Sequence, residues 1–364
     1  MRRRGPQPPV PAALMPEPSE PSALKPQVDQ VLRAFVREET ALLVAVDPQL
    51  APVAAQLHAA VANGKRLRAA FCYWGWRAAG QPHSPDMVRA AAAMELVHAA
   101  AVVHDDLIDD SGLRRGAPTA HIALRGAVPD GPGRAAGGRS LAMLTGDLLM
   151  SWAGQLFATC GLPAGYLARA RPLWATLARE LIAGECLEIL RTRAEPCADS
   201  SLEIIRYKTA KYTVEHPLHL GGILAGAPPA LLAAFSGYGL PLGEAFQLRD
   251  DLLGVFGDPR QTGKSNLDDF SGAKPTALVA LALDRAGPAD RETLRALLGR
   301  DGLDPTGLDL VRDVLERSGA RDRVERMIAE RTALARAALS RAPVHPAAAD
   351  ALTGLITAAT ARTA

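Results

Sequence analysis

Residues 95–121 read ELVHAAAVVHDDLIDDSGLRRGAPTAH, and the rest of the chain is organised around this stretch. An alanine-rich apolar run, typical of a buried helix, ends in four aspartates within six residues. If the helix continues through Asp109, Asp105 and Asp109 lie four residues apart on one face. Carboxylates stacked in this way repel each other unless positive charge lies between them. Hard oxygen ligands suit Mg²⁺, so the stretch predicts a magnesium site.

A second acidic stretch, residues 246–258, reads FQLRDDLLGVFGD. Asp250 and Asp251 follow Gln247 by three and four residues, so one helical face can present all three side chains. Two aspartate-rich helix ends that face each other across a cleft would hold a cluster of divalent ions. Such a cluster is a place for a diphosphate, whose charge would be stabilised as a carbon–oxygen bond breaks.

A basic segment, GKRLR at residues 64–68, lies just before a predicted apolar helix. Its three cations can form an anion site together with the free backbone N–H groups of the helix N-terminus. Taken alone, the segment is better explained as a basic turn on the surface. Beside the two acidic stretches, the anion site becomes the better interpretation.

The remaining sequence is rich in alanine and leucine at helical spacing, and alternating β-branched runs are missing. We therefore predict an all-α protein whose helical domain comprises residues 27–364. Residues 1–26 carry eight prolines and little periodicity, which predicts a disordered tail.

Composition excludes several functional classes. A net charge of +2 argues against a dedicated nucleic-acid binder. No apolar run approaches the roughly 18–20 uncharged residues of a transmembrane helix, so we expect no membrane span. The first residues lack the apolar region of a secretory signal. The four cysteines have no CxxC spacing, which is typical of reduced thiols, and we expect a cytoplasmic protein.

Eight short motifs occur in the order found in one known family and spread over roughly 200 residues. They are GKRLR, ELVH, DDLID, LRRG, GD, YKTAKYT, FQLRDD and TGKS, which begin at residues 64, 95, 105, 113, 146, 207, 246 and 262. On these motifs the sequence resembles the trans-isoprenyl diphosphate synthase (polyprenyl synthetase) family, and bacterial geranylgeranyl diphosphate synthases in particular. The resemblance implies a single large helical bundle around a central cavity.

The resemblance also implies roles for individual residues. Mg²⁺ would be held by Asp105, Asp106, Asp109, Asp250 and Asp251. Isopentenyl diphosphate would contact Lys65, Arg68, His98 and Arg115. The allylic diphosphate would contact Arg114, Lys208 and Thr209, and Lys208 would stabilise negative charge on the leaving group. Further substrate-binding residues would be Gln247, Lys264 and Lys274.

Three positions depart from the family pattern. A strict DDxxD motif from Asp250 needs an aspartate where this chain has Gly254, which leaves the third ligand open. The candidates for an extra acid there are Asp258, Asp268 and Asp269. Ala273 precedes Lys274 where the family usually has glycine. The element at Gly184 continues with glutamates, where an aspartate is frequent in the family.

The implied reaction is ionisation of the allylic diphosphate, condensation with isopentenyl diphosphate and loss of a proton to the leaving diphosphate. Two alternatives remain. A class I terpene cyclase also uses an aspartate-rich Mg²⁺ site but needs no second diphosphate pocket, so GKRLR, His98 and Arg115 argue against it. A non-catalytic subunit of a heteromeric synthase would usually lose acidic or basic motifs, whereas the first acidic motif here is intact.

The helix before Asp105 sets an expectation for product length. Ala101 and Ala100 form the first possible floor for a growing chain, and neither is large enough to block it. Val97 and Met94 lie on deeper turns. We therefore expect products longer than farnesyl diphosphate, with geranylgeranyl diphosphate as the main product. By the resemblance, we also expect a symmetric homodimer with a helical interface.

Overall fold

The computed structural model describes residues 17–18, 21–192, 194–258, 270, 272–300 and 304–360. Most of these residues are helical, which confirms the predicted all-α class. In chain order the helices are α1 (Pro21–Val46), α2 (Ala51–Ala62), α3 (Leu67–Ala78), α4 (Pro85–Ile108), α5 (Ala120–Ala123), α6 (Arg134–Ala158), α7 (Ala164–Arg191), α8 (Ala198–Ile204), a π-helix (Ile205–Glu215), α9 (His216–Ala225), α10 (Pro229–Phe256), α11 (Ala277–Arg285), α12 (Pro288–Leu297), α13 (Pro305–Arg317), α14 (Ala320–Arg341) and α15 (Pro346–Thr360).

The first helix begins earlier than the predicted domain boundary. Helix α1 begins at Pro21, whereas the sequence predicts a tail that extends to residue 26. Leu24 and Val28 are fully buried in the main core, so burial of apolar side chains holds this first turn in place. The part of the predicted tail before residue 17 lies outside the described residues.

Helix α4 is the central helix of the main core. Its residues 90–93 are four consecutive alanines that are fully buried, so the neighbouring helices α3 and α6 can pack closely against it. Ser84 caps its first turn by accepting a hydrogen bond from the Met87 backbone N–H. Small side chains on all sides therefore let one helix carry the acidic motif through the middle of the bundle.

Helix α4 also bears on the expectation that the chain has no membrane span. By length and composition alone it is apolar enough to cross a membrane, although charged residues such as Glu95 interrupt it. However, 72% of its most apolar window is buried inside the protein. Burial of this kind is typical of a core helix, so α4 is weak evidence for a membrane span.

Two glycines allow an unusually close crossing of α3 and α9. A Cβ atom at Gly221 would lie 1.9 Å from the Cys72 carbonyl oxygen, and one at Gly75 would lie 2.3 Å from the Leu218 carbonyl oxygen. The two helices therefore cross with their backbones in contact. This crossing anchors α9, and the π-helix continues directly into α9.

The C-terminal helices enclose a second, smaller apolar core. Helix α10 passes along both cores, because Phe235 and Leu242 pack in the main core while Leu248 and Leu252 pack in the second. Helices α11, α13 and α14 supply most of the remaining side chains of the second core. The C-terminal half of α10, which carries the second acidic motif, is thus held from both sides.

Candidate active site

The first acidic motif occupies the C-terminal end of α4. The helix ends at Ile108, Asp109 is the capping residue, and Asp105 and Asp106 lie in the last turn. The C-terminus is the negative pole of a helix, so each carboxylate there costs about 0.3–1 kcal/mol relative to a neutral side chain. Helix propensity does not explain this cluster. Positive charge from elsewhere in the fold must stabilise it.

Arg114 supplies the first of these cations. It lies in a two-stranded turn formed by β1 (Leu113–Arg114) and β2 (Ala117–Pro118), which folds back over the end of α4. Its Nε donates to Asp106 Oδ1 at 2.8 Å and its Nη2 to Asp105 Oδ2 at 3.2 Å. These contacts raise the Arg114 pKa although burial opposes this. Arg114 therefore remains a cation between two carboxylates.

Lys208 supplies the second cation from the π-helix. Its Nζ lies 3.0 Å from Asp105 Oδ1, 2.9 Å from Glu185 Oε2 and 2.6 Å from Glu188 Oε1. Burial lowers the Lys208 pKa, but the three carboxylates outweigh this and raise it above its ordinary value. The pKa of Glu185 is raised, chiefly by burial. Lys208 is thus the charge that lets three acidic side chains approach one another.

Lys274 supplies the third cation. Its Nζ lies 2.6 Å from Asp109 Oδ2 and 3.8 Å from Glu188 Oε1. Burial still raises the pKa of Asp109, although Lys274 opposes this effect. Glu188 therefore contacts both Lys208 and Lys274, and these lysines contact the two ends of the first acidic motif.

A glycine places the π-helix at this site. A Cβ atom at Gly184 would lie 2.3 Å from the Lys208 backbone N, so α7 and the π-helix touch at this point. Glu185 and Glu188 follow Gly184 on α7 and reach Lys208 across the contact. On the other side, a Cβ atom at Gly243 of α10 would lie 2.4 Å from Ala210 Cα. The π-helix is therefore held between α7 and α10, and π-helical turns are frequent at functional sites.

The second acidic motif is connected to the same π-helix. Thr209 Oγ1 donates to Gln247 Oε1 at 2.9 Å, and Gln247 Nε2 donates to Asp251 Oδ1 at 2.8 Å. Asp251 is buried and Asp250 is half-buried. Adjacent residues of the π-helix thus reach the two acidic motifs, Lys208 the first and Thr209 the second.

Three carboxylates in this region could hold a metal ion. Within the described parts of the chain, oxygens of Asp105, Glu185 and Glu188 lie within 4.8 Å of one another. Glu185 Oε1 is buried without a hydrogen-bond partner there. The Lys208 ammonium group now neutralises these carboxylates. Because carboxylate oxygens are hard donors, a divalent cation could bind at the same position. Of the five aspartates predicted as ligands, this group includes Asp105.

The basic segment at residues 64–68 divides its cations between two tasks. Arg66 has a left-handed backbone (φ 56°) and points into the protein, where its Nε donates to Asp29 Oδ1 at 2.7 Å. Glu95 is also buried and accepts a hydrogen bond from the Ala69 N–H at 2.9 Å. Lys65 is exposed, so Lys65 and Arg68, and not all three cations, remain as candidates for binding an anion.

Arg68 and His98 lie together in a buried polar cluster. Arg68 Nη2 donates to Thr213 Oγ1 at 2.9 Å, and its guanidinium lies 4.3 Å from the centre of the Tyr212 ring. His98 Nδ1 lies 2.6 Å from the Tyr212 hydroxyl. Burial lowers the His98 pKa, and Arg68 and Arg115 lower it further, so the imidazole is neutral near pH 7.

Arg115 points away from Arg114, as expected for adjacent residues. Its Nη1 donates to the Asn63 carbonyl oxygen at 2.9 Å, beside the basic segment. Burial lowers the Arg115 pKa, and the nearby Arg114 and Arg66 lower it further. This excess of positive charge would be relieved by an anion.

Several predicted features lie outside the described residues. They are the motif TGKS with Lys264, and the candidate acids Asp268 and Asp269. Asp110, the fourth aspartate of the first motif, points elsewhere and lies 2.8 Å from Arg139 Nη1.

Five residues of this site have no role predicted from the sequence. They are Asp29, Glu95, Glu185, Glu188 and Tyr212. A signal existed for Glu185 and Glu188, because they follow a glycine in a motif that the resemblance flagged. Tyr212 and Glu95 stood inside quoted motifs. Asp29 had no local signal, since it acts across 37 residues of chain through its contact with Arg66.

Known proteins are similar to this chain in sequence and in fold. Residues 51–314 match the sequence profile of the family described as polyprenyl synthetase. The chain belongs to the polyprenyl synthetase family. The match covers all the described acidic and basic residues of the site except Asp29.

Similar proteins carry different product names. A geranylgeranyl pyrophosphate synthase from Corynebacterium glutamicum, solved with isoprenyl diphosphate and magnesium, is 34% identical with a TM-score of 0.89, covering 93% of this chain and 99% of that one. A farnesyl diphosphate synthase of Mycobacterium tuberculosis is 32% identical over 71% of this chain and 68% of its own length. The octaprenyl diphosphate synthase of Escherichia coli is 29% identical over 67% and 71%.

The role of Lys208 as a shared cation is testable without turnover. In Lys208→Met, three carboxylates lose this cation, so without divalent ions we expect the free energy of unfolding to fall by about 3–5 kcal/mol. Mg²⁺ should then raise the melting temperature of the variant more than that of the wild type, because the ion can replace the ammonium charge. Thermal unfolding with and without Mg²⁺ measures both effects.

A matched control is Lys211→Met. Lys211 lies on the same π-helix and pairs with the single carboxylate of Glu180 at 2.9 Å. Mg²⁺ should raise the melting temperature of Lys211→Met by as much as it raises that of the wild type. If Mg²⁺ raised the melting temperature of all three proteins equally, Lys208 would not occupy a position that a metal ion can take.

Proposed function

We propose that this protein condenses isopentenyl diphosphate with an allylic diphosphate to form a longer linear trans-prenyl diphosphate. The observation that carries the proposal is the presence of two separate groups of basic side chains. Arg114, Lys208 and Lys274 lie among the carboxylates, whereas Arg68 and Arg115 lie beside the basic turn and the cluster around Tyr212. Two anion sites suit a reaction between two diphosphates.

In the proposed reaction, the allylic carbon–oxygen bond breaks first and its electron pair stays on the departing diphosphate. Mg²⁺ held by the aspartates of both motifs would supply stabilisation of that negative charge. Arg114, Lys208 and Lys274 contribute fixed positive charge at the same place, because their contacts already hold them beside Asp105 and Asp109. The leaving group thus departs into an environment organised before the reaction begins.

The second substrate then supplies the new carbon–carbon bond. The double bond of isopentenyl diphosphate attacks the allylic cation, and a proton lost from the adjacent carbon passes to the departed diphosphate. Arg68, Arg115 and neutral His98 would hold the diphosphate of isopentenyl diphosphate during the attack. A dedicated protein base is not needed, because the diphosphate is basic and adjacent.

The two alternative functions have less support. A terpene cyclase acts on a single diphosphate substrate and would have no use for the second group of cations, Arg68 and Arg115. A non-catalytic subunit would have no use for the arrangement of Arg114, Lys208 and Lys274 around the acidic motif.

An assay with pure protein tests the proposal. With isopentenyl diphosphate, dimethylallyl or farnesyl diphosphate and Mg²⁺, we expect elongated linear diphosphates. Asp105→Asn should lower kcat by a hundredfold or more, on the order of the loss of one preorganised charge-stabilising group. The control Asp130→Asn removes an exposed carboxylate that pairs with Arg134, and should keep full activity. Cyclic hydrocarbons would favour the cyclase, and no product at all would favour the subunit.

We further propose geranylgeranyl diphosphate as the main product. The names of the similar proteins extend from farnesyl to octaprenyl and beyond, so the proposal depends on α4 itself. Ala101 is half-buried and Ala100 is fully buried, as are Val97 and Met94 on the deeper turns. A larger side chain at Ala101 could therefore shorten the channel for the growing product without first disrupting the core.

For Ala101→Phe we expect shorter products, farnesyl or geranyl diphosphate, at a modest loss of stability. Ala100→Phe should instead lower the melting temperature, because its site has no space. Ala337→Phe, at an exposed position of α14, is the control and should change neither property. Chromatography of the dephosphorylated products decides the matter, and an unchanged product from Ala101→Phe would place the floor elsewhere.

We also propose a cytoplasmic homodimer. Large apolar side chains that are about half exposed or more lie on α6 and α7, a pattern that favours burial against another chain. They are Met143, Leu144, Ile182, Ile189 and Leu190.

Light scattering should give about twice the chain mass of 38.3 kDa. The double variant Ile182→Lys and Ile189→Lys should give the monomer mass, because it places charge in the proposed interface. Leu310→Lys, at a similarly exposed position of α13, should remain dimeric. A wild-type monomer at working concentration would refute the dimer.

A further inference from the structure

Tyr212 lies where the two proposed substrate sites meet the π-helix. The residue is buried, as are Arg68 and Thr213 beside it. Four residues before it, Lys208 contacts the first acidic motif, and Thr209 contacts Gln247. The other half of the same helix carries Tyr212 and Thr213. A single helix thus reaches residues of both sites.

Tyr212 contacts two of the residues that are predicted to bind isopentenyl diphosphate. Its hydroxyl lies 2.6 Å from His98 Nδ1, and its ring lies under the Arg68 guanidinium at 4.3 Å. The next residue, Thr213, accepts a hydrogen bond from Arg68 Nη2 at 2.9 Å. Arg68 lies on α3 and His98 lies on α4. The π-helix therefore contacts side chains from two different helices and holds both in place.

The charges around this cluster restrict where its protons lie. Burial, and then the charges of Arg68 and Arg115, lower the His98 pKa, so His98 carries one ring proton, on either Nδ1 or Nε2. Burial raises the Tyr212 pKa, so the phenol keeps its proton. A phenol beside a cation is a good donor and a poor acceptor, which favours donation from the Tyr212 hydroxyl to Nδ1. The ring proton is then on Nε2.

We propose that Tyr212 is a positioning residue for the isopentenyl diphosphate site, which fixes the His98 proton on Nε2 and orients Arg68. His98 is half-buried, so the residue is not sealed inside the core. With the proton on Nε2, the neutral ring donates a hydrogen bond to an anion; with the proton on Nδ1, it presents a lone pair that repels one. This inference rests on the proposed function for the identity of the ligand.

The tautomer itself can be measured without any ligand. Nitrogen-15 NMR of the full-length protein distinguishes Nδ1–H from Nε2–H rings, and a His98→Gln spectrum identifies the His98 signals among the eight histidines. We expect Nε2–H in the wild type and a mixture of tautomers in Tyr212→Phe. His98 with its proton on Nδ1 in the wild type would overturn the inference, whatever the enzyme makes.

Calorimetry with isopentenyl diphosphate alone measures the consequence for binding. Tyr212→Phe keeps the ring under Arg68 and removes one hydroxyl, so we expect affinity to fall about tenfold. In turnover assays, the KM for isopentenyl diphosphate should rise to a similar extent, while the KM for the allylic substrate should stay within about twofold.

The chain contains a matched control for this variant. The Tyr73 hydroxyl lies 2.9 Å from His83 Nδ1, and Tyr73 is fully buried, but this pair lies outside the site. Tyr73→Phe should lower the melting temperature about as much as Tyr212→Phe and leave isopentenyl diphosphate binding unchanged. An equal effect of Tyr212→Phe on both substrates, or none on either, would reduce Tyr212 to a structural residue.

The outcome is separable from that of the proposed function. If the wild type binds isopentenyl diphosphate but forms no elongated product, the proposed reaction fails while the binding and tautomer measurements still decide the role of Tyr212. If elongation proceeds and Tyr212→Phe behaves like Tyr73→Phe, the function stands and the positioning role fails.

Discussion

Electrostatic repulsion at the C-terminal end of α4 is the constraint on which the rest of the site depends. Asp105, Asp106 and Asp109 lie at the negative pole of a helix, and Glu185 and Glu188 approach the same point from α7. Such a cluster is stable only when cations from other elements enter it. Arg114 arrives from the turn after α4, Lys208 from the π-helix and Lys274 from the segment before α11. Carboxylates that are stabilised by the side chains of Arg114, Lys208 and Lys274 can also bind divalent metal ions.

Close backbone packing brings those cations into place. Gly184 lets α7 touch the π-helix at Lys208, and Gly243 lets α10 touch it at Ala210. Gly75 and Gly221 then anchor α9, into which the π-helix continues. Any larger side chain at these positions would move the π-helix outward, and a shift of about 1 Å is enough to impair catalysis. The polar chemistry of the site therefore depends on positions that carry no side chain at all.

Burial also assigns different tasks to chemically similar residues. Of the cations in GKRLR, Arg66 pairs with Asp29 inside the protein, Arg68 stacks on Tyr212 and Lys65 is exposed. The adjacent Arg114 and Arg115 diverge in the same way, one to the carboxylates and the other to the Asn63 carbonyl oxygen. Removing a buried charge from water is costly without a partner, so each inward cation has a dedicated contact.

The sequence by itself determined the helical class, because apolar residues at helical spacing leave no alternative to helix packing. It also determined the motifs and the family, since Asp105, Asp109, Lys208 and Gln247 stand in recognisable local patterns. Local patterns carry no information about distance across the fold. The tertiary structure alone decided that Glu188 reaches Lys208 and Lys274, that Tyr212 meets His98, and that Arg66 turns inward to Asp29. It also decided that residues 21–26 are helical, because the contacts that bury Leu24 come from elsewhere in the chain. These contacts join residues far apart in sequence, so local sequence patterns cannot specify them.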